Sequence, residues 1–389
     1  MKEVLSFAAA LLALAGASSQ AQTSQGVSKN EIVLGSIQDL SGPIAGFGKQ
    51  VRQGMLLRVD ELNEQGGING RKIKLLIEDS AYDPKKAVLA AQKLVNQDKI
   101  FAMVAHIGTP TNNAAMPVQF EKNVINFFPV TAAREMTEPV HKLKFAGGSS
   151  YFDQMRVALP RLIKDKGAKK ICTIYQDDEF GLEVFRGAEA GLKAVGMDFT
   201  EKTTYKRGAT DFSSQVARMK AANCELVVLG TIIRETIGTI AEGRKTGFNP
   251  VYLGSSATYT DLIHKLGKKA MDGLYSTHTV QHPYMDDISP KVAFWAKKYQ
   301  TKFSDDPTVF SVYGYSAIDT FIQAAQKAGP NLTTDSFIKA MESLTFPPDM
   351  FGSAELTFGP AKRAGSNMTR MSQLQDERWK PVTEYVKPQ

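Results

Sequence analysis

Short apolar runs of strand length alternate with helix-length segments through most of this chain, and that alternation confines it to parallel α/β units. Ile32–Ile37 reads as a buried strand, followed by Asp39-Leu40-Ser41-Gly42-Pro43 and a helix from about Lys49 to Asn63. Gly66-Gly67-Ile68-Asn69-Gly70 ends that helix, and Lys72–Glu78 forms the next strand. Asp83-Pro84 opens a helix through Val95, with Asp as N-cap and Pro at the first helical position. Phe101–Ile107 and Val124–Phe128 are two further strands separated by a helix. A second series begins with a helix from Ser149 to Lys166. It continues through strands Ile171–Tyr175, Phe199–Tyr205, Leu226–Gly230 and Val251–Gly254, with helices between them. From about Leu274 the chain is expected to return to the first unit with helices Pro290–Lys302 and Val312–Ala328, and the tail after Gly352 reads as short strands.

Two doubly wound α/β lobes joined by three chain crossings follow from this pattern, a clam-shell with a crevice between the lobes. The expected boundaries are 30–148 plus 278–354 for the first lobe and 149–277 plus 355–389 for the second. Residues 1–21 read as a cleavable secretory leader: Lys2, an apolar run from Val4 to Ala17, and a small-x-small site at Ser19-Gln20-Ala21. That run is too short to span a bilayer, no later run approaches the needed length, and the residue directly after the cleavage site is Gln22 rather than a cysteine. The expected product is periplasmic, not membrane-embedded and monomeric.

The net charge of +7 is spread rather than blocked, which together with export argues against nucleic acid. Cys172 and Cys224 each stand near the start of an apolar run; a disulfide and two buried thiols both remain open. The five histidines are scattered, with no metal-ligand spacing, nucleophile elbow or phosphate loop. No cofactor, metal or enzymatic activity is expected.

Ligands in such folds bind beyond the carboxyl ends of strands. After Phe101–Ile107, Thr109 reads as an N-cap and Pro110 as the first helical residue, ahead of Thr111. The free N–H groups of that turn suit a carboxylate. Arg134 and Arg234 also follow strand ends and suit a carboxylate or plain solvation, while His278, Tyr259 and His282 near the return crossing are candidate donors or structural groups.

The motifs Ile32-Val33-Leu34-Gly35, Leu40-Ser41-Gly42-Pro43, Gly66-Gly67-Ile68-Asn69-Gly70-Arg71, Asp79–Pro84, Tyr175–Gly181 and Asp211-Phe212 occur in one order. Through them the chain resembles periplasmic solute-binding proteins of the branched-chain amino-acid (leucine/isoleucine/valine) class, which serve ABC importers. The resemblance implies hinge-bending capture of a small-molecule ligand and presentation to permease subunits. It implies a carboxylate held at Thr109, a backbone contact from Val130, and a second hydroxyl at a position occupied here by Ala132. Thr131 replaces that hydroxyl only if the loop shifts register. The glutamate that pairs with an ammonium group in this class is replaced by Ser256, and a neighbouring aromatic by Ile232-Ile233. Phe47 and Phe180 match positions flanking the ligand, and Phe152 lies near the crossing between lobes. A carboxylate with an aromatic body and no α-ammonium, of benzoate or cinnamate type, is therefore expected. The alternatives are an amino acid, or a sensor that presents its ligand to a receptor.

Overall fold

The computed structural model describes residues 24–388; the expected leader, 1–21, lies outside them. The first sheet contains β1 (Glu31–Gln38), β2 (Lys72–Asp79), β3 (Ala102–Val104), β4 (Ile125–Phe127) and β5 (Lys144–Phe145), all parallel, in the order β2-β1-β3-β4-β5. Helices α1 (Ala45–Glu64), α2 (Pro84–Gln92) and α3 (Thr109–Glu121) connect its strands. The chain then enters α4 (Tyr151–Lys166) and a second sheet. That sheet contains β6 (Ile171–Gln176), β7 (Glu201–Tyr205), β8 (Leu226–Gly230), β9 (Val251–Gly254) and β10 (Tyr275–His278), interleaved with α5 (Glu179–Ala194), α6 (Ser213–Ala221), α7 (Arg234–Lys245) and α8 (Asp261–Gly267). Helices α9 (Pro290–Phe303), α10 (Val309–Ala328) and α11 (Thr334–Ser343) follow. A small ribbon, β11 (Thr345–Phe346) with β12 (Leu356–Thr357), precedes β13 (Arg370–Gln375) and β14 (Arg378–Pro381). The second sheet runs β14-β13-β10-β9-β8-β6-β7, parallel except that β13 is antiparallel to both its neighbours, β10 and β14.

The strand order reverses between β1 and β3 in one sheet and between β6 and β8 in the other. Each reversal opens a crevice beyond the strands' carboxyl ends, where the next helices diverge. The return crossing falls later than the sequence implies. Leu274 does not mark it, because β10 still pairs with β9 and β13 in the second sheet. Helix α1 also starts at Ala45, not near Lys49, so Phe47 sits in its first turn rather than in a loop. The Asp39 carboxylate accepts from the N–H groups of Ser41, Gly42 and Ile44, and Asp79 from Leu40 N–H and the Ser41 hydroxyl. These bonds hold the Ser-Gly-Pro loop in place of a helical turn. Cys172 and Cys224 form a disulfide, which ties β6 to the approach to β8.

Candidate functional site

The residues beyond both strand reversals converge on one cavity of about 550 Å³. From the first sheet come Ile44 and Phe47 after β1, Tyr82 after β2, Gly108 and Thr109 after β3, and Val130 to Arg134 after β4. From the second come Phe180 after β6, Ile232 after β8, and Ser256 with Ala257 after β9. Tyr151 and Gln154 reach it from the first turns of α4.

The N-cap of α3 is Gly108 rather than Thr109. Its φ is +94°, and a Cβ there would lie 2.6 Å from the Tyr82 ring, so only glycine lets the chain turn into the helix at this point. Thr109, now the first helical residue, turns its hydroxyl to that of Thr131 at 2.6 Å. The helix leaves the N–H groups of Thr109 and Thr111 without intrahelical acceptors, and Pro110 has none to offer. Thr131 thus brings a second hydroxyl to this end of the cavity without displacement of its loop, which is pinned by Val130 N–H to His106 O and Gly108 N–H to Val130 O. The Val130 carbonyl is therefore already engaged. Burial pushes the Tyr151 phenol up to about 12, against the pull of Ala132 N–H and the Thr131 hydroxyl, so it stays a neutral donor.

Aromatic rings supply the body of the cavity. Phe47 stacks on Phe310 with centroids 3.6 Å apart, and Phe180 meets Tyr151 edge to face at 5.2 Å. Ser256 N–H donates to Gln154 Oε1 at 2.9 Å, which turns the segment after β9 toward the cavity. The carboxylates on the lining are otherwise occupied. Asp153 pairs with Arg156 and Asp319 with Arg58, Asp349 accepts from Phe351 and Ser353 N–H, and Glu138 is exposed at the rim.

Five expected site residues lie elsewhere. Pro110 and Thr111 are off the lining; the Thr111 hydroxyl bonds back to the Ile107 and Gly108 carbonyls, the ordinary behaviour of threonine near a helix start. Phe152 faces away from the cavity, under the Arg134 guanidinium at 3.9 Å. Arg234 points outward and meets only the neighbouring Glu235, at 3.4 Å. His278 is fully buried between the Val280 carbonyl and the Ser372 hydroxyl, stacked on Tyr259, and burial pushes it down to about 3. Tyr259 and His282 are off the lining as well, joined by His282 N–H to the Tyr259 hydroxyl.

Arg134 does line the cavity, but Glu183 on α5 holds its guanidinium through two bonds of 2.8 and 2.9 Å. That pair joins the two lobes across the mouth. So do Arg207 Nη1 to the Tyr82 carbonyl at 3.0 Å and Gln176 Nε2 to the Tyr82 hydroxyl at 3.4 Å. Tyr82 and Tyr151 are among the lining residues the sequence reading missed. Tyr82 stood inside the Asp79–Pro84 motif just past a strand end, where the crevice rule would have found it.

Residues 31–377 match the family model described as periplasmic binding protein. An amino acid binding protein of Pseudomonas aeruginosa is 27% identical over 306 residues, covering 77% of this chain and 80% of the relative. The Leu/Ile/Val-binding protein of Escherichia coli is 25% identical over 269 residues, covering 69% and 73%. A solute-binding protein of an ABC transporter from R. palustris, solved with benzoate, superposes with a TM-score of 0.81 at 17% identity, over 92% of this chain and 98% of that one. Two α/β sheets of this order, the cavity at their paired reversals and the match over nearly the whole described chain agree: the chain belongs to the periplasmic binding protein family.

Proposed function

We propose that this chain is the solute receptor of an ABC importer and captures a small aromatic carboxylate that lacks an α-ammonium group. The observation that carries this reading is the asymmetry of the cavity. One end gathers the Thr109 and Thr131 hydroxyls, which share one hydrogen bond so that one of the two keeps its proton for an anion, with the neutral Tyr151 phenol and the N-terminus of α3 beside them. Where an ammonium would need a counter-charge stand Ser256, Ile232 and Ala257. A buried, unpaired ammonium costs several kcal/mol. The rings of Phe47, Phe180 and Tyr151 suit a flat body by offset and edge contacts.

The ligand docks on the first lobe through Thr109 and Thr131, and the second lobe closes over it with Phe180 and Ile232. Arg134–Glu183 and Arg207–Tyr82 hold the lobes together, and the permease reads that closed form. Thermal shift of ligand-stripped protein tests the reading. Benzoate, hydroxybenzoates and cinnamates at about a thousand times a micromolar Kd add about 4 kcal/mol of stability. Leucine, isoleucine, valine and glutamate add none. Stabilisation by leucine overturns the reading, because another group then holds an ammonium.

A further inference from the structure

The cavity continues beyond the ring-binding chamber. The same lining also takes in Gly147 and Gly148, residues of α10 and the segment from Phe346 to Leu356, with Phe128, Tyr313, Phe346, Met350, Phe351 and Met368 among them, and this part is the far chamber. A volume of about 550 Å³ falls within the range of about 300–1,000 Å³ typical of sites for drug-sized ligands. A single-ring acid anchored at Thr109 and Thr131 leaves this far chamber unfilled.

The charges fix which end of a ligand goes where. Among the described lining residues Arg134 is the one cation, and Glu183 already holds it beside the inner chamber. The far chamber carries Asp319 and Asp349 instead; burial raises the Asp349 carboxyl although it accepts from Phe351 N–H, Ser353 N–H and the Ser316 hydroxyl. Asp319 is already paired with Arg58, so a second carboxylate there would meet like charge chiefly from Asp349. Its tyrosine, phenylalanine and methionine walls suit a neutral apolar chain, since methionine adapts to ligands of varied shape.

We propose that the far chamber is a tail subsite and that the protein takes elongated arylalkanoates, monocarboxylates whose apolar body exceeds one ring. The carboxylate sits at Thr109 and Thr131, the first apolar segment lies between Phe47 and Phe180, and the rest passes Phe128 and Tyr313 toward Met350 and Met368. This rests on the carboxylate reading above and extends it. Dicarboxylates of the same length are disfavoured by Asp349.

Calorimetric titration with benzoate, 4-phenylbutyrate and 8-phenyloctanoate tests the subsite on the intact chain. Affinity is expected to rise toward fourfold per methylene buried, and 8-phenyloctanoate to bind at least a hundredfold tighter than benzoate. Ala354 lines the far chamber as Met368 does, and Ala354→Trp, and separately Met368→Trp, narrow it. Each is expected to remove that gain while leaving benzoate within twofold of wild type. A flat series in the wild-type protein, with benzoate still bound, overturns the tail subsite and leaves the carboxylate reading standing. Loss of all three acids alongside binding of leucine overturns both.

Discussion

The two walls of the cleft arise from the same topological device and carry opposite chemistry. Each is made of residues just past the ends of strands that flank a reversal in strand order, β1 and β3 on one side, β6 and β8 on the other. The first wall presents paired hydroxyls and a helix N-terminus at Thr109 and Thr131. The second presents Phe180, Ile232 and Ala257, with Ser256 turned in by Gln154. The fold places both walls around one cavity. On the proposed function, the few side chains after each strand make one wall the anchor and the other the cover. The covering lobe is also the one with a covalent staple, Cys172–Cys224, whereas the anchoring lobe is held by packing and hydrogen bonds.

The largest effect that would break this comparison is reduction of that disulfide. It closes a loop with a sequence separation of 52, for which chain entropy gives about 4 kcal/mol. Trp379 lies in the second sheet and Trp295 on α9 beside the first lobe, so single-tryptophan variants report each lobe. In urea with reductant, the Trp379 transition is expected to move to lower denaturant while the Trp295 transition stays. Equal shifts would mean that the lobes unfold as one unit and that the staple is not a property of one wall.

Acid is expected to sharpen the contrast. Burial holds His106, under the first wall, at about 3, and His278 and His282, behind the second, at about 3 and about 4. All three lie below the unfolded value of about 6.5. The unfolded chain therefore binds protons the folded chain refuses, and stability falls as pH drops from about 6.5 toward 4. Each histidine contributes about 1.4 kcal/mol per pH unit in that window, and nothing above it. The second lobe, with two such groups to one, should weaken first; the same tryptophan probes read the order.

The sequence carried the architecture further than the site. Short apolar runs marked most strands, and the rule that ligands sit past strand ends, together with the resemblance to leucine-type binding proteins, singled out Phe47, Thr109, Val130, Thr131, Phe180, Ile232 and Ser256, which all line one cavity. It missed β10 because Tyr275–His278 mixes polar and apolar residues, all buried between β9 and β13. It misjudged Phe152, Arg234 and His278 because proximity in the chain does not set side-chain direction. Phe152 is the second residue of α4, and its neighbour Tyr151 takes the cavity instead. The Arg134 guanidinium looked free in the sequence; its partner, Glu183, comes from the other lobe.

The anchoring wall itself is tested by Thr109→Val, which removes one of the two hydroxyls without changing side-chain shape much. Titration with the bound acid is expected to show a loss of about 1–3 kcal/mol, because a charge-assisted bond goes and the Thr131 hydroxyl loses its partner. Unchanged affinity would move the carboxylate off this wall.

The smallest expected effect is the most discriminating. Ser256→Glu places a carboxylate on the covering wall, where a ligand ammonium would want one. For a ligand that carries only a carboxylate, the new charge meets an apolar ring face and no cation, since Arg134 is taken by Glu183. Affinity for an aromatic acid should not rise, and leucine should gain more than any acid from the substitution. If the native ligand binds more tightly to this variant, it carries an ammonium. The two walls would then be anchors for opposite charges rather than an anchor and a cover.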